Sequence, residues 1–214
     1  EAAKAESLTI KNDFIMSNVW WADPIFLGKY PEEAKEVFGD EMYTLTDDEW
    51  KLVSQPLDFY GYNCYQGTLN YPPDPFGYDK YAYQGSPRTG MNWNFTPESL
   101  YWSTKLWFER YGLPVLITEN GYAGLDLVML DGKVHDPQRI DYIHRYLLQL
   151  KKAVDEGIPV LGYTYWSIMD NFEWSEGYNP RFGLVYVDYA TLKRTIKDSA
   201  YWYGEVIAAN GENL

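Results

Sequence analysis

The sequence predicts an α/β fold built on a parallel sheet, and three observations predict it. Short apolar runs at 57–64, 114–118 and 158–165 have the length and composition of buried strands. Segments with helical periodicity lie between them, the clearest over 136–157. The order helix, strand, helix, strand, helix, strand, helix is that of strands joined by crossover helices, which makes neighbouring strands parallel. Three strands are few for a parallel sheet covered on both faces, so something else is expected to complete it.

Each element has its own signal. Residues 1–6 read as helix, and a chain that opens inside an element, with Glu1 rather than Met, is expected to be cut from something longer. Thr46-Asp47-Asp48-Glu49 has the T-x-x-E form of a capping box, with Trp50 and Val53 following at helical spacing. Residues 57–64 then read as a buried strand. Residues 66–95 are rich in Pro, Gly and Tyr and read as one long irregular loop, a kind that is usually functional in a compact protein.

Thr96 is expected to cap a helix with Pro97 at its first position, Leu100, Trp107 and Tyr111 on one face, and Gly112 as its stop. After the strand at 114–118 comes a polar loop. Asp136 and Pro137 then start a helix whose apolar stripe is Ile140, Ile143, Leu147, Leu150 and Val154, and Gly157 ends it. A strand at 158–165 follows, then a hairpin over 183–193 turning near 188–191, then a last helix over 199–209. No low-complexity linker and no short-period repeat divides the chain, so 1–214 reads as one domain, incomplete by itself.

Composition narrows the function classes. The chain has 214 residues, 46% of them hydrophobic, enough for a sizeable core. Its 21 Tyr and 9 Trp suit either an aromatic core or a surface that grips amphipathic ligands such as sugars. A net charge of −13 repels phosphate backbones, so no nucleic-acid partner is expected. The single cysteine, Cys64, rules out an internal disulfide framework. No apolar run reaches the roughly 18 residues of a membrane span. With no signal peptide visible, a cytoplasmic location is expected. His135 and His144 have no metal-ligand spacing with Cys64, no G-x-S-x-G supports serine chemistry, and no glycine loop is built to cradle phosphates. Neither a metal nor a cofactor is expected.

In a parallel barrel the side chains at the C-terminal ends of the strands line the active site. Three such ends are readable: Asn63, Cys64 and Tyr65; Thr118, Glu119, Asn120 and Gly121; and Tyr165, Trp166 and Ser167, leading on to Asp170-Asn171-Phe172-Glu173-Trp174. Carboxylates and amides that bond hydroxyls, beside indole faces that stack on sugar C–H faces, suit carbohydrate chemistry. Each residue also has a plainer reading at this point. A Glu after a strand serves as a helix cap or ion-pair partner more often than as a nucleophile. Tyr65 fits an ordinary core with a satisfied hydroxyl, and Glu173 fits a solvated loop. Asp170 beside Asn171 is common turn chemistry, which favours a structural role. Asp126, Asp131 and Asp136 surround a loop and read as solvated.

The stretch Leu116-Ile117-Thr118-Glu119-Asn120-Gly121 resembles the nucleophile motif of family 1 glycoside hydrolases, the β-glucosidase family. Trp166-Ser167-Ile168-Met169-Asp170-Asn171-Phe172-Glu173-Trp174 resembles the family's glycone-binding segment, and Arg181-Phe182-Gly183-Leu184-Val185-Tyr186-Val187-Asp188-Tyr189 the segment after it. Asp58-Phe59-Tyr60-Gly61-Tyr62-Asn63-Cys64-Tyr65 resembles the sixth barrel strand, and Asp23-Pro24 and Tyr30-Pro31 also fall where the family has them. The resemblance runs over nearly the whole chain, in the family's order and spacing.

It implies the C-terminal portion, about strands six to eight with their helices, of a (β/α)8 TIM barrel. It implies that Glu119 is the nucleophile of a retaining β-glucosidase and that Tyr65 orients it. Asn63 would reach the sugar 2-hydroxyl, and Trp166 would stack under the sugar. Glu173 would grip the 4- and 6-hydroxyls and Trp174 the 3-hydroxyl. Phe182 would wall the pocket, and Trp93 would contact the leaving group. Cys64 departs from the pattern, standing where an aromatic is more usual.

The larger departure is that the family's acid/base Glu, in a Thr-Phe-Asn-Glu-Pro run on the fourth strand, is not in this sequence. Retaining hydrolysis needs two carboxyl groups about 5–5.5 Å apart. The expected partners are therefore a non-phosphorylated β-glucoside or short β-linked oligosaccharide, and the N-terminal half of the same enzyme as a second polypeptide. The alternative is a catalytically incomplete carbohydrate-binding fragment.

Overall fold

The computed structural model describes residues 2–10, 17–67 and 87–214. They fall into two compact units, one of Glu1–Tyr60 with Leu106–Leu113 and one of Gly61–Lys105 with Pro114–Leu214. Most of the expected 66–95 loop lies at 68–86, outside the described residues. Its return is described: Arg88 and Asn94 form an antiparallel bridge, and the Thr89 N–H donates to the Trp93 carbonyl at 3.0 Å.

The first unit holds helices α1 (Ala2–Leu8), α2 (Asn18–Leu27), α3 (Ala34–Phe38) and α4 (Asp47–Val53). Helix α4 carries the expected capping box. The Glu49 N–H donates to the Thr46 hydroxyl at 3.3 Å, and the Thr46 N–H donates to the Glu49 carboxylate at 2.8 Å. Helix α2 was not legible in the sequence. It is apolar nearly all round and has Pro24 inside it, which argues against a helix interior. Its buried Asp23 accepts from the Arg110 guanidinium and from the Tyr111 hydroxyl at 2.9 Å. Beside this pair Tyr60 stacks on Tyr111 and packs on Phe26 and Trp107, so much of the aromatic content here is core.

The second unit holds the sheet. Strands β1 (Tyr60–Asn63), β2 (Val115–Asn120) and β3 (Val160–Tyr165) lie side by side in that order, and β2 and β3 are parallel, with Val115 opposite Val160 and Asn120 opposite Tyr165. Strand β1 is shorter than the expected 57–64, because Leu57 and Phe59 are exposed at 42% and 41% and lie outside the sheet.

Helix α5 (Glu98–Tyr111) connects β1 to β2 and ends at Gly112, whose φ of 67° suits glycine. The Thr96 hydroxyl accepts from the Gly67 N–H at 2.8 Å and its carbonyl accepts from the Ser99 N–H at 3.0 Å, so it ties the start of the long loop to the start of α5. Helix α6 (Pro137–Asp155) buries Arg139, Tyr142, Ile143, Tyr146, Leu147, Leu150 and Ala153. Its inner face is therefore rotated from the expected aliphatic stripe, and Val154 is exposed. Two tyrosines and an arginine hold positions that a purely apolar count passes over.

The hairpin of β4 (Val185–Val187) and β5 (Arg194–Ile196) turns at 188–193, starting where the sequence places the turn and running two residues further. Helix α7 (Asp198–Ala208) closes the chain against α6. Among the described residues no helix is long and apolar enough to cross a membrane.

Candidate active site

The three strand ends converge through the backbone. The Cys64 N–H donates to the Glu119 carbonyl at 2.8 Å, and the Trp166 N–H donates to the Asn120 carbonyl at 2.9 Å. The turn after β2 presses against the end of β3 so closely that a Cβ on Gly121 would strike the Trp166 carbonyl, so only glycine fits there. These contacts carry Tyr65, Glu119 and Trp166 together at one end of the sheet.

At that end the Tyr65 hydroxyl donates to Glu119 Oε2 at 2.7 Å. Burial, then the bond to and the charge of Glu119, then the charge of Glu173, push the Tyr65 hydroxyl well above the ordinary tyrosine range. It therefore stays protonated and remains a donor to the carboxylate. The Tyr65 ring packs on Trp93 with centroids 5.0 Å apart and on Phe182 at 5.9 Å, and Trp93 and Phe182 lie 6.0 Å apart. An apolar wall of three rings thus stands beside one oriented carboxylate.

Of the remaining expected residues, Glu173 bears on the Tyr65 hydroxyl through its charge. The Asn63 amide oxygen accepts from the Thr118 hydroxyl at 2.7 Å. Glu173 is half-buried, and its N–H donates to the Gly177 carbonyl at 2.6 Å. Trp174 is 82% exposed at a φ of 43°. Cys64 is buried, its thiol 3.8 Å from the Ser99 hydroxyl and 3.7 Å from that of Ser103, and burial raises it above the ordinary thiol range.

Sequence reasoning missed a polar layer under the site. Asn120, fully buried, donates to the Cys64 carbonyl at 2.6 Å and to the Tyr142 hydroxyl at 3.1 Å, and accepts from the Tyr163 hydroxyl at 2.6 Å. Tyr142 and Tyr146, stacked at 4.1 Å, both donate to the Tyr65 carbonyl, at 2.9 and 3.0 Å. Their spacing of four on the inner face of α6 was the available signal.

It also missed a buried ionic cluster. Asp126 and Asp136 are not solvated, as the loop composition suggested. Asp126 accepts from the Arg139 guanidinium and from Lys197 at 2.5 Å. Asp136 is 2% exposed, accepts from the Ser199 N–H at 2.9 Å and hydroxyl at 2.6 Å, and faces Arg139 at 3.1 Å. Burial raises the Asp136 carboxyl above its ordinary value. Asp170 has the structural role expected of it. It accepts from Arg181 at 2.6 Å, Lys197 at 2.8 Å, and the Gly183 and Val187 N–H groups at 3.0 and 3.3 Å. The segment carrying Phe182 is thereby tied down, and the Tyr165 hydroxyl holds the Phe182 carbonyl at 2.9 Å.

The sequence model of glycosyl hydrolase family 1 matches residues 2–212. The chain belongs to glycosyl hydrolase family 1. It is 44% identical over 191 residues to Beta-glucosidase A of Thermotoga maritima, covering 88% of this chain and 43% of that protein. It is 39% identical over 216 residues to Beta-glucosidase A of Acetivibrio thermocellus, covering 97% of this chain and 48% of that protein. A solved Thermotoga maritima β-glucosidase in complex with noeuromycin superimposes with a TM-score of 0.79 at 43% identity, over 91% of this chain and 44% of that one. The chain thus spans about half the length of the curated relatives it matches.

Within this family 1 chain two features stand apart from the strand ends. His135 lies between Asp198 at 2.5 Å and Asp131 at 3.0 Å, linking the loop before α6 to the start of α7. His144 packs on Trp202 with ring centroids 5.8 Å apart. Among the described residues no group of three or more His, Cys, Asp or Glu could hold a metal ion.

Proposed function

We propose that this chain supplies the nucleophile side of a retaining β-glucosidase and works with a second polypeptide, the N-terminal half of the same enzyme. The observation that carries the reading is the Tyr65–Glu119 hydrogen bond of 2.7 Å at the end of β2, beside the wall of Trp93 and Phe182. The family and the named β-glucosidases among its relatives support the reaction class.

In this reading β1, β2 and β3 are the sixth to eighth strands of a (β/α)8 barrel, and 1–214 is one partial domain. The acid/base carboxyl comes from outside the chain. Tyr65 occupies Oε2 of Glu119, and attack on the anomeric carbon falls to the other oxygen. As the C–O bond to Glu119 forms, the bond to the leaving group breaks, and the departing oxygen takes a proton from the external acid. That group, now a base, draws a proton from water, which displaces Glu119 and restores the carboxylate.

Trp166 stacks under the sugar, Glu173 binds the 4- and 6-hydroxyls, Trp174 the 3-hydroxyl and Asn63 the surroundings of the 2-hydroxyl. Trp93 faces the leaving group. The negative charge of Glu173 repels a 6-phosphate, which favours a non-phosphorylated β-glucoside.

The test is Glu119→Gly in the chain assembled with its complementary half, assayed on an aryl β-glucoside. Turnover should fall by at least about 10⁴-fold, as expected when a covalent nucleophile is lost, and azide should restore it by filling the space of the carboxylate. Unchanged turnover would sink the assignment. No turnover by the assembled wild-type protein, with sugar binding retained, would favour a binding fragment instead.

A further inference from the structure

The polar layer under the site does more than fill space. Two phenols at packed positions of α6 could be phenylalanine if packing were their only role, since a net buried hydrogen bond contributes only about 1 kcal/mol. Instead both hydroxyls reach one acceptor, the Tyr65 carbonyl, which uses its two lone pairs on Tyr142 at 2.9 Å and Tyr146 at 3.0 Å.

Each hydroxyl is also set from behind. Asn120 donates to Tyr142 at 3.1 Å, and the Thr96 N–H donates to Tyr146 at 3.1 Å, so each hydroxyl accepts one bond while it donates to the Tyr65 carbonyl. The other Asn120 contacts run to the Cys64 carbonyl at 2.6 Å and from Tyr163 at 2.6 Å. Two consecutive carbonyls, of Cys64 and Tyr65, are therefore pinned by side chains from β2 and α6. A small rotation of that backbone is amplified at the far end of the Tyr65 ring, where the hydroxyl must meet Glu119.

We infer that Asn120, Tyr142 and Tyr146 are positioning residues that set the angle of the Tyr65 hydroxyl on Glu119. None of them touches the substrate, and the inference rests on the proposed role of Glu119. Burial raises both the Tyr142 and Tyr146 phenols above the ordinary tyrosine range, which keeps them as donors at any working pH.

The experiment compares Tyr142→Phe, Tyr146→Phe and the double variant in the assembled enzyme, using an aryl β-glucoside. The double variant should lower kcat by roughly 10-fold while KM changes by less than about 2-fold, because orientation is lost and binding is kept. The acid limb of kcat/KM should move, because the hydroxyl that Tyr65 presents to Glu119 changes its angle. In a Tyr65→Phe background the same two substitutions should shift the limb no further.

Tyr101→Phe, which removes a hydroxyl bonded to Glu156 at 2.7 Å, should leave the limb in place and serves as the structural control. If the double variant fails to fold, Tyr146→Phe alone keeps Asn120 and Tyr142 intact and should show the same limb shift, smaller. An unshifted limb, or the same shift in the Tyr65→Phe background, would overturn the inference. A slowed Tyr65→Phe enzyme beside an unaffected double variant would overturn it while leaving the nucleophile reading standing. A Tyr65→Phe enzyme with wild-type turnover and pH profile would overturn the inference together with the orienting role of Tyr65, while Glu119→Gly tests the nucleophile reading separately.

Discussion

Replacing Lys197 with methionine tests the buried ionic cluster. Lys197 is fully buried, and its ammonium bonds Asp126 at 2.5 Å and Asp170 at 2.8 Å. The surrounding cluster balances three carboxylates, Asp126, Asp136 and Asp170, against the cations Arg139, Arg181 and Lys197. Methionine keeps most of the apolar stem and removes only the charge and its donors. The cluster is then left with one uncompensated buried negative charge, and breaking such a pair from one side costs about 3–5 kcal/mol. With a urea m-value of roughly 2–3 kcal/mol/M for a chain of this size, the midpoint should fall by about 1–2.5 M.

The pairing can be checked by adding Asp126→Asn, which restores the charge balance. The double variant should lose less than the sum of the two single losses, with a coupling of about 1–3 kcal/mol. Urea unfolding followed by tryptophan fluorescence measures each value. A loss below about 1 kcal/mol for Lys197→Met, typical of exposed ion pairs, would refute the view that this cluster is dry and mutually dependent.

Two further perturbations follow from the geometry. Gly121→Ala forces a methyl into the Trp166 carbonyl, so the turn after Glu119 must shift; kcat/KM of the assembled enzyme should fall by about 10²-fold with a stability loss of about 1–3 kcal/mol, read by kinetics and thermal melting. His135 has its basicity raised above the ordinary 6.5 by its bond to Asp198 and then by Asp131. The unfolded chain holds that proton less tightly, so the stabilisation is complete below about pH 6.5 and disappears as pH rises through the folded-state value. His135→Gln should therefore lower the melting temperature most at the acid end and least at the alkaline end, and a pH-independent difference would contradict the linkage.

The parts of the fold that were legible had local causes. Thr46 and Glu49 are three residues apart and need nothing distant to cap α4, and Gly112 and Gly157 mark helix ends through their own backbone at φ 67° and 88°. The strand ends were legible because the barrel rule places reactive side chains there, which brought out Tyr65, Glu119 and Trp166. What was hidden depends on distant partners. Pro24 masks α2, whose helix is held by packing and by Asp23 bonding Arg110 and Tyr111. Asp126 and Asp136 look like loop acids until Arg139 and Lys197 arrive from α6 and the approach to α7. Tyr142 and Tyr146 look like interruptions of an aliphatic stripe until the Tyr65 carbonyl is placed above them. Leu57 and Phe59 mislead in the other direction, because apolar character at a strand's entrance carries no guarantee of burial.

In the proposed function Glu119 forms a covalent bond to the sugar. The most direct measurement is to treat the assembled enzyme with a 2-deoxy-2-fluoro-β-glucoside bearing a good leaving group, which slows release of the intermediate, and to map the label by peptide mass spectrometry. One fluoroglucosyl group per enzyme is expected, on Glu119 in the peptide containing Leu116-Ile117-Thr118-Glu119-Asn120-Gly121, with activity lost in step with labelling. Inactivation with the label on another carboxylate would contradict it, as would turnover of the parent glucoside with no labelling.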